Sequence, residues 1–537
     1  MGKKKHKKQS RPASTGKAAQ KTATGTGKAV RITAVLKKAG SLFLSAVSCL
    51  AALVAFVCFF AAWWYVRVYG RIGFDSVLFT LTGGLGGMSK ELLVSFLTGA
   101  FLPAVLCCAL LCCGLFLPWK RWGIRCRFFP VKRWLAWLLT IALSAGLIVH
   151  AAYNVELVDY LSNISKETEL YEDEYRDPSQ VQITFPEQKR NLVYILLESM
   201  EVSYLAKEDG GAMDVNLIPE LQQLAQENVN FSHNDSVGGF REVSGTSWTI
   251  GAMVGHTAGV PLKVPEGIAD WQNGYGADGN FLPGLNNLQT VLKENGYYQA
   301  LMVGSDANFG GRKPYYENHL VDKVYDYYTA RDEDKIFDPY HFVWWGYEDH
   351  ILFDYAKQKL TEISQKDQPF AFTMLTVDTH HIGGYICKLC GDDHAESYSN
   401  AIACSSRQVA AFVQWLQQQP FYENTTVIIS GDHCSMDKGY FDRNVEAGYQ
   451  RRVYNCFINA AAKPTYTTSR QFCALDMFPT TLAAMGCAIE GNRLGLGTNL
   501  FSYQPTLMEL MGYEEFNDQL SQRSPYYNSF YTAKEAS

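Results

Sequence analysis

Hydrophobic positions along this chain fall into two regimes. Before residue 154 they form long, nearly uninterrupted runs; after residue 190 they form short runs that alternate with amphipathic stretches. The runs at 41–66, 92–117 and 134–153 are each long enough to cross a bilayer, which takes about 20 apolar residues. The stretch 74–88 is apolar but short and glycine-rich, which fits a re-entrant or interfacial segment, with a fourth span as the alternative. After residue 190 the pattern predicts strands at 192–197, 299–303, 370–376, 426–430 and 453–459, and helices at 219–227, 285–295, 349–365, 397–417 and 476–485. Strands alternating with helices indicate an α/β domain with a largely parallel sheet.

Charge then orients the chain. Residues 1–38 are rich in Lys and Arg and contain no acid, which predicts a disordered basic tail. Lys120, Arg121, Arg125, Arg127, Lys132 and Arg133 crowd the segment between the second and third apolar runs. By the positive-inside rule both lie on the cytoplasmic side. Three crossings then place everything after the third run outside, in a multi-pass cell-membrane protein. The first run is too long for a cleavable signal peptide, and more spans follow it. The expected division is a basic tail at 1–38, membrane spans at 39–154, an acidic linker at 155–190, an outer α/β domain at 191–505 and a C-terminal tail at 506–537. The net charge of −5 argues against general nucleic-acid binding.

Of the 14 cysteines, seven lie at or before Cys126, where they serve as small apolar residues. Among the other seven, Cys387-x-x-Cys390, His394 and Cys404 offer either a zinc clip or one disulfide. An oxidising exterior favours the disulfide, with Cys390–Cys404 as the expected pair.

Ligands of parallel α/β sheets bind at the carboxyl ends of the strands. Glu198 ends the first predicted strand, Asp378-Thr379-His380-His381 follow the third, and Asp432-His433 follow the fourth. Any one of these could be a cap or an ion-pair member. Together they supply carboxylates and imidazoles, a donor set that suits Mn²⁺, Zn²⁺ or Mg²⁺. Between them lies Val243-Ser-Gly-Thr-Ser-Trp-Thr-Ile250, where Ser244-Gly245 breaks the chain ahead of a helical run. Thr246 is therefore expected at or near a helix N-terminus, amid free N–H groups that suit a phosphoryl group. It is either a plain N-cap or a nucleophile that a metal activates.

The order Leu196-Leu-Glu-Ser199, Thr246 in TSWTIGAMV, Val377-Asp-Thr-His-His381 and Ser430-Gly-Asp-His433 resembles the sulfatase-like phosphoglycerol transferases of the alkaline-phosphatase superfamily. Lipoteichoic acid synthases and the transferases that decorate periplasmic glucans belong to that family. The resemblance runs through the whole outer domain to Leu494-Gly-Leu-Gly497, and the segment FDSVLFTLTGG shares its general membrane plan. It implies an alkaline-phosphatase/sulfatase-like fold. It matches Glu198, Thr246, Asp432 and His433 to the metal ligands, with Thr246 also the nucleophile, and His380 and Arg312 to groups that contact the substrate phosphate. The family's His-Pro pair is His381-Ile382 here. The Cys/Ser-x-Pro-x-Arg motif of true sulfatases is Thr246-Ser-Trp-Thr-Ile250, so sulfate-ester hydrolysis is not expected.

The implied reaction moves phosphoglycerol from phosphatidylglycerol to an envelope glycan or glycerol-phosphate acceptor, through a glycerophosphoryl-threonine. The implied cofactor is a divalent cation, manganese first and magnesium or zinc as alternatives. Phosphoethanolamine transfer, lipoteichoic-type polymerisation, phosphodiester hydrolysis and a receptor with a dead site are the rival readings.

Overall fold

The computed structural model describes residues 23–71, 73–82, 90–116, 132–263, 280–336, 338 and 340–532. The basic stretch 1–22 and most of the basic loop, 117–131, lie outside the described residues. The chain divides into two compact units, one built from residues 1–60 and 101–149, the other from 61–100 and 150–537.

Among the described residues, three helices are long and apolar enough to cross a membrane: Arg31–Tyr69, Leu92–Phe116 and Arg133–Asn154. The expected re-entrant stretch is helical over Phe74–Thr82, and its remainder, 83–88, lies outside the described residues. Within the first unit, small residues sit where helices meet. Ala52, Ala55, Ala104 and Ala136 are buried, while Leu50, Leu106, Leu110 and Leu138 face outward. In a membrane, large apolar side chains gain nothing by leaving lipid, and small ones let backbones approach closely. Trp137 Nε1 donates to Ser45 Oγ at 3.2 Å across the same contact.

The second unit is organised by a seven-stranded sheet. Its strands are β1 (Asn191–Leu197), β2 (Gly239–Phe240), β3 (Tyr298–Val303), β4 (Lys323–Tyr325), β5 (Phe370–Leu375), β6 (Thr425–Gly431) and β7 (Val453–Ile458). Their spatial order is β2-β7-β6-β1-β5-β3-β4. The core β6-β1-β5-β3-β4 is parallel; β7 runs antiparallel to β6, and β2 antiparallel to β7.

The apolar runs in β1 and β6 follow from burial on both faces. Leu192, Tyr194 and Leu196 point into one hydrophobic cluster, and Val193, Ile195 and Leu197 into the other. The helices Thr249–Ala258 and Met477–Ala484 cover the first face; Pro219–Glu227, Asp349–Ile363 and Ser397–Gln417 cover the second. The five strands read from the sequence are all present. The two short ones, β2 and β4, were not expected, because at two and three residues they carry no periodicity.

The segments 155–190 and 506–537, expected as linker and tail, both pack into the second unit. Leu170, Tyr171 and Tyr175 of the linker are buried in the first cluster, and Ile183–Thr184 pairs with Ala488–Ile489. Residues 507–531 form short helices that bury Leu507, Met508, Phe516, Leu520, Tyr527 and Phe530 in that same cluster. Sparse apolar residues among many polar ones hid both segments in the sequence. Fully buried Arg470 fastens the C-terminal segment, with Nε 2.8 Å from Glu509 Oε1 and further bonds to the Leu500 and Gln504 carbonyls. Removing one partner of such a pair strands the other charge. Arg470→Ala is therefore expected to destabilise this unit by about 3–5 kcal/mol, seen as a lower unfolding midpoint of the full chain in detergent.

Candidate active site

The carboxyl ends of β5, β1 and β6 lie side by side, because Leu196 pairs with Leu375 and Leu197 with Gly431. A Cβ on Gly431 would meet the Met200 carbonyl oxygen at 2.0 Å, so only glycine lets the loop after β1 close onto β6. That loop carries Glu198 and Ser199, the latter in the left-handed region at φ 54°. Ser199 N donates to Asp432 Oδ1 at 2.8 Å, and Ser199 Oγ donates to Glu198 Oε1 at 2.7 Å. One residue thus ties the ends of two strands together.

Glu198, Asp432 and His433 converge with their ligand atoms within 4.8 Å of one another, all buried. His433 Nδ1 donates to the Cys434 carbonyl at 2.9 Å, which leaves Nε2 as an electron-pair donor. That Nε2 lies 3.4 Å from Asp432 Oδ2 and 3.7 Å from Glu198 Oε1. Asp432 Oδ2 is buried and has no hydrogen-bond partner among the described residues. A buried carboxylate oxygen without a donor costs free energy, and it faces another carboxylate and an imidazole. This arrangement fits a divalent cation.

The electrostatics agree. Burial alone would raise the pKa of Glu198, but His380, His433, Ser199 and Arg312 outweigh it and hold the group below its ordinary value. Burial and the Glu198 charge push Asp432 up. Burial opposes a charge on His433, yet Asp432, Glu198 and Glu242 prevail and raise it to about 9. Protons therefore occupy the cluster near neutral pH in the protein alone, and a bound cation must displace them. Metal affinity is expected to fall as pH falls. Calorimetric titration with Mn²⁺ at neutral pH in buffers of different ionisation enthalpy should show proton release.

The structure does not bring Thr246 into this cluster. Its hydroxyl is spent on the backbone of Val243, donating to the carbonyl at 2.8 Å and accepting from the N–H at 3.1 Å. The hydroxyl at the cluster belongs to Thr249, the first residue of the helix Thr249–Ala258. Thr249 Oγ1 lies 3.4 Å from Glu198 Oε2 and 3.4 Å from His433 Nε2. The helix starts three residues later than expected, because Thr246 closes a tight turn with Val243 and Trp248 is still extended. The apolar run beginning at Ile250 was the signal that could have found this.

His380 and Arg312 line the same cavity as Glu198, Thr249 and His433. His380 Nδ1 donates to the His381 carbonyl at 2.7 Å, its ring packs on Trp345 with centroids 4.4 Å apart, and burial pulls its pKa down. It is neutral at pH 7, with Nε2 left as an acceptor. Arg312 is buried with Nε on the Phe309 carbonyl and Nη2 on the Asp306 carbonyl, and burial brings its pKa down to about 10, so it stays charged. The loop bearing His380 is held from behind by Asp349, whose carboxylate accepts the N–H groups of Val377 and Asp378 at 2.7 and 3.1 Å.

Much of the remaining cavity wall is apolar and was not foreseen. It includes Phe309 and Trp345, together with Tyr65, Tyr69 and Leu92 from the ends of two long apolar helices. The rings of Tyr69 and His381 meet edge to face at 5.1 Å.

Residues 190–487, more than half of the chain, match the family model described as Sulfatase. Among curated proteins, the chain is 29% identical over 446 residues to phosphoglycerol transferase I of Escherichia coli, covering 80% of this chain and 53% of that protein. It thus spans about half the length of the curated relatives it matches. Among solved structures, it is similar to the lipoteichoic acid synthase of Listeria monocytogenes at 18% identity and a TM-score of 0.46, over 59% of this chain and 77% of that one. A second is the integral-membrane lipooligosaccharide phosphoethanolamine transferase of Neisseria meningitidis, at 12% identity and a TM-score of 0.48, over 88% and 87%. With a buried carboxylate–imidazole cluster at the carboxyl edge of a mostly parallel sheet, and a family model that matches residues 190–487, the chain belongs to the sulfatase family.

Proposed function

We propose that this protein is a membrane-bound phosphotransferase that moves phosphoglycerol from phosphatidylglycerol to a hydroxylated acceptor of the cell envelope. The observation that carries this reading is the Thr249 hydroxyl at a helix N-terminus, facing Glu198 and His433 inside a cavity that also holds Arg312 and His380. In this reading Glu198, Thr249, Asp432 and His433 hold a divalent cation, manganese first and magnesium or zinc as alternatives. That ion supplies positive charge that favours the alkoxide form of Thr249 and offsets charge building on the phosphoryl oxygens.

Thr249 Oγ1 attacks phosphorus and the bond to the diacylglycerol oxygen breaks. The free N–H groups at the start of the helix and the fixed charge of Arg312 stabilise the equatorial oxygens. The threonine proton ends on the diacylglycerol hydroxyl. An acceptor hydroxyl then attacks the glycerophosphoryl-threonine, and its proton ends on Thr249. His380, neutral and with Nε2 free, is placed to relay the proton in each displacement. The covalent route divides one transfer into two in-line steps.

The apolar wall of Tyr65, Tyr69, Leu92, Phe309 and Trp345 supports a lipid donor. A larger, more polar groove begins on the loop Glu242–Ser247 that leads into Thr249, and it includes Asn517, Asp518 and Gln522, groups that suit a glycan or glycerol-phosphate acceptor. The 29% relative named phosphoglycerol transferase I supports the headgroup assigned to the donor. The basic residues at 1–38 and 120–133 support an extracytoplasmic catalytic domain in a multi-pass membrane protein.

Vesicles carrying headgroup-labelled phosphatidylglycerol test the proposal. Release of diacylglycerol and movement of label to a glycan or glycerol-phosphate acceptor are expected. Turnover of phosphatidylethanolamine in its place would overturn the assignment of the donor.

A further inference from the structure

We infer that Cys387, Cys390 and Cys404 form a zinc-binding thiolate site that fixes the loop carrying His380. The three Sγ atoms lie within 4.8 Å of one another, with Cys387 at 3.8 Å from Cys404 and at 3.7 Å from Cys390. A disulfide requires about 2.05 Å, and no cysteine among the described residues is disulfide-bonded. The expected Cys390–Cys404 bond is not formed either, and Cys387 Sγ contacts both of the other sulfurs. Thiolates bound at about 2.3 Å in a tetrahedron stand about 3.8 Å apart, close to the separations of Cys387 from Cys404 and from Cys390.

The surroundings suit a bound thiolate. Cys387 and Cys404 are buried. The N–H of Leu389 turns back onto Cys387 Sγ at 3.4 Å, as a short Cys-x-x-Cys turn around an ion requires. The amide of Gln408 abuts the cluster, with Nε2 at 3.3 Å from Cys404 Sγ, and its Oε1 is buried without a hydrogen-bond partner among the described residues. The fourth position falls to water or to this amide. Binding breaks three S–H bonds and sends the protons to solvent, with no change of oxidation state.

The site would act on the active centre through the chain that joins them. Residues 381–387 link His380 to the first sulfur, and Cys404 lies in the helix Ser397–Gln417. Tyr398 of that helix already donates to the Thr379 carbonyl at 2.9 Å. An ion between Cys387, Cys390 and Cys404 fastens the far end of the same loop.

The test uses the full chain in detergent with zinc and cobalt salts. The Asp432→Asn variant, impaired at the other metal centre, should still retain one zinc per chain by elemental analysis. Cys390→Ser or Cys404→Ser should lose it. Cobalt substitution should give the intense near-ultraviolet absorption of thiolate–cobalt charge transfer. After denaturation with chelator and no reductant, all three cysteines should alkylate. The last two measurements use an intact site, so they decide even if the serine variants misfold. A disulfide joining any two of these cysteines in a non-reduced peptide map, or cobalt binding without thiolate absorption, overturns the inference.

Discussion

Thr249→Ala is expected to abolish transfer, by on the order of 10⁴-fold or more, since removing the attacking oxygen of a covalent catalyst leaves only binding and electrostatic assistance. The fold should survive, because Thr249 is the half-buried first residue of its helix and supplies no cap bond there. Thr249→Ser should keep part of the activity. Thr246→Ala separates the two threonines: it removes a turn-closing hydroxyl, costs about 0.5–2 kcal/mol as a lost cap does, and leaves most of the transfer intact. With donor present and acceptor absent, fragmentation mass spectrometry should place a glycerophosphate on Thr249. An adduct on Thr246, or full activity in the Thr249 variant, would remove Thr249 from the mechanism.

Asp432→Asn and His433→Ala should lose the catalytic cation and activity together. Asp432 Oδ2 has no hydrogen-bond partner among the described residues, and His433 offers Nε2 to the same point. Asparagine keeps the size of the side chain but gives up the charge, so the asparagine variant separates metal binding from packing. His380→Ala should behave differently: metal stays and turnover falls, because His380 lines the cavity without belonging to the three-residue cluster. Metal content by elemental analysis, set beside initial rates, checks both. Normal metal binding in the Asp432 variant would refute the site.

Much of this was legible in the amino-acid order, for identifiable reasons. Strands buried on both faces must be apolar throughout, so β1, β3, β5, β6 and β7 stand out as runs. The rule that ligands sit at strand ends then picked Glu198, Asp432 and His433, which the fold brings together. Thr246 was picked although its hydroxyl lies on Val243 and outside the cluster, because two hydroxyls three residues apart both lie near the helix start. A one-turn difference in helix register decides between them, and helix ends are the least determined feature of a sequence. Tyr65, Tyr69 and Leu92 were out of reach for another reason. Nothing local to an apolar run reveals that its last turn borders a catalytic cavity more than a hundred residues further along the chain.

The Tyr69–His381 contact and the grouping of residues 61–100 with 150–537 bear on where this chain can be cut. The catalytic body is discontinuous: it borrows a piece from the apparent anchor. A secreted version that begins after the last apolar helix would keep every residue of the carboxylate–imidazole cluster and yet be missing one side of its own active-site wall. Anyone grafting the catalytic half onto another anchor would have to carry those forty residues across as well.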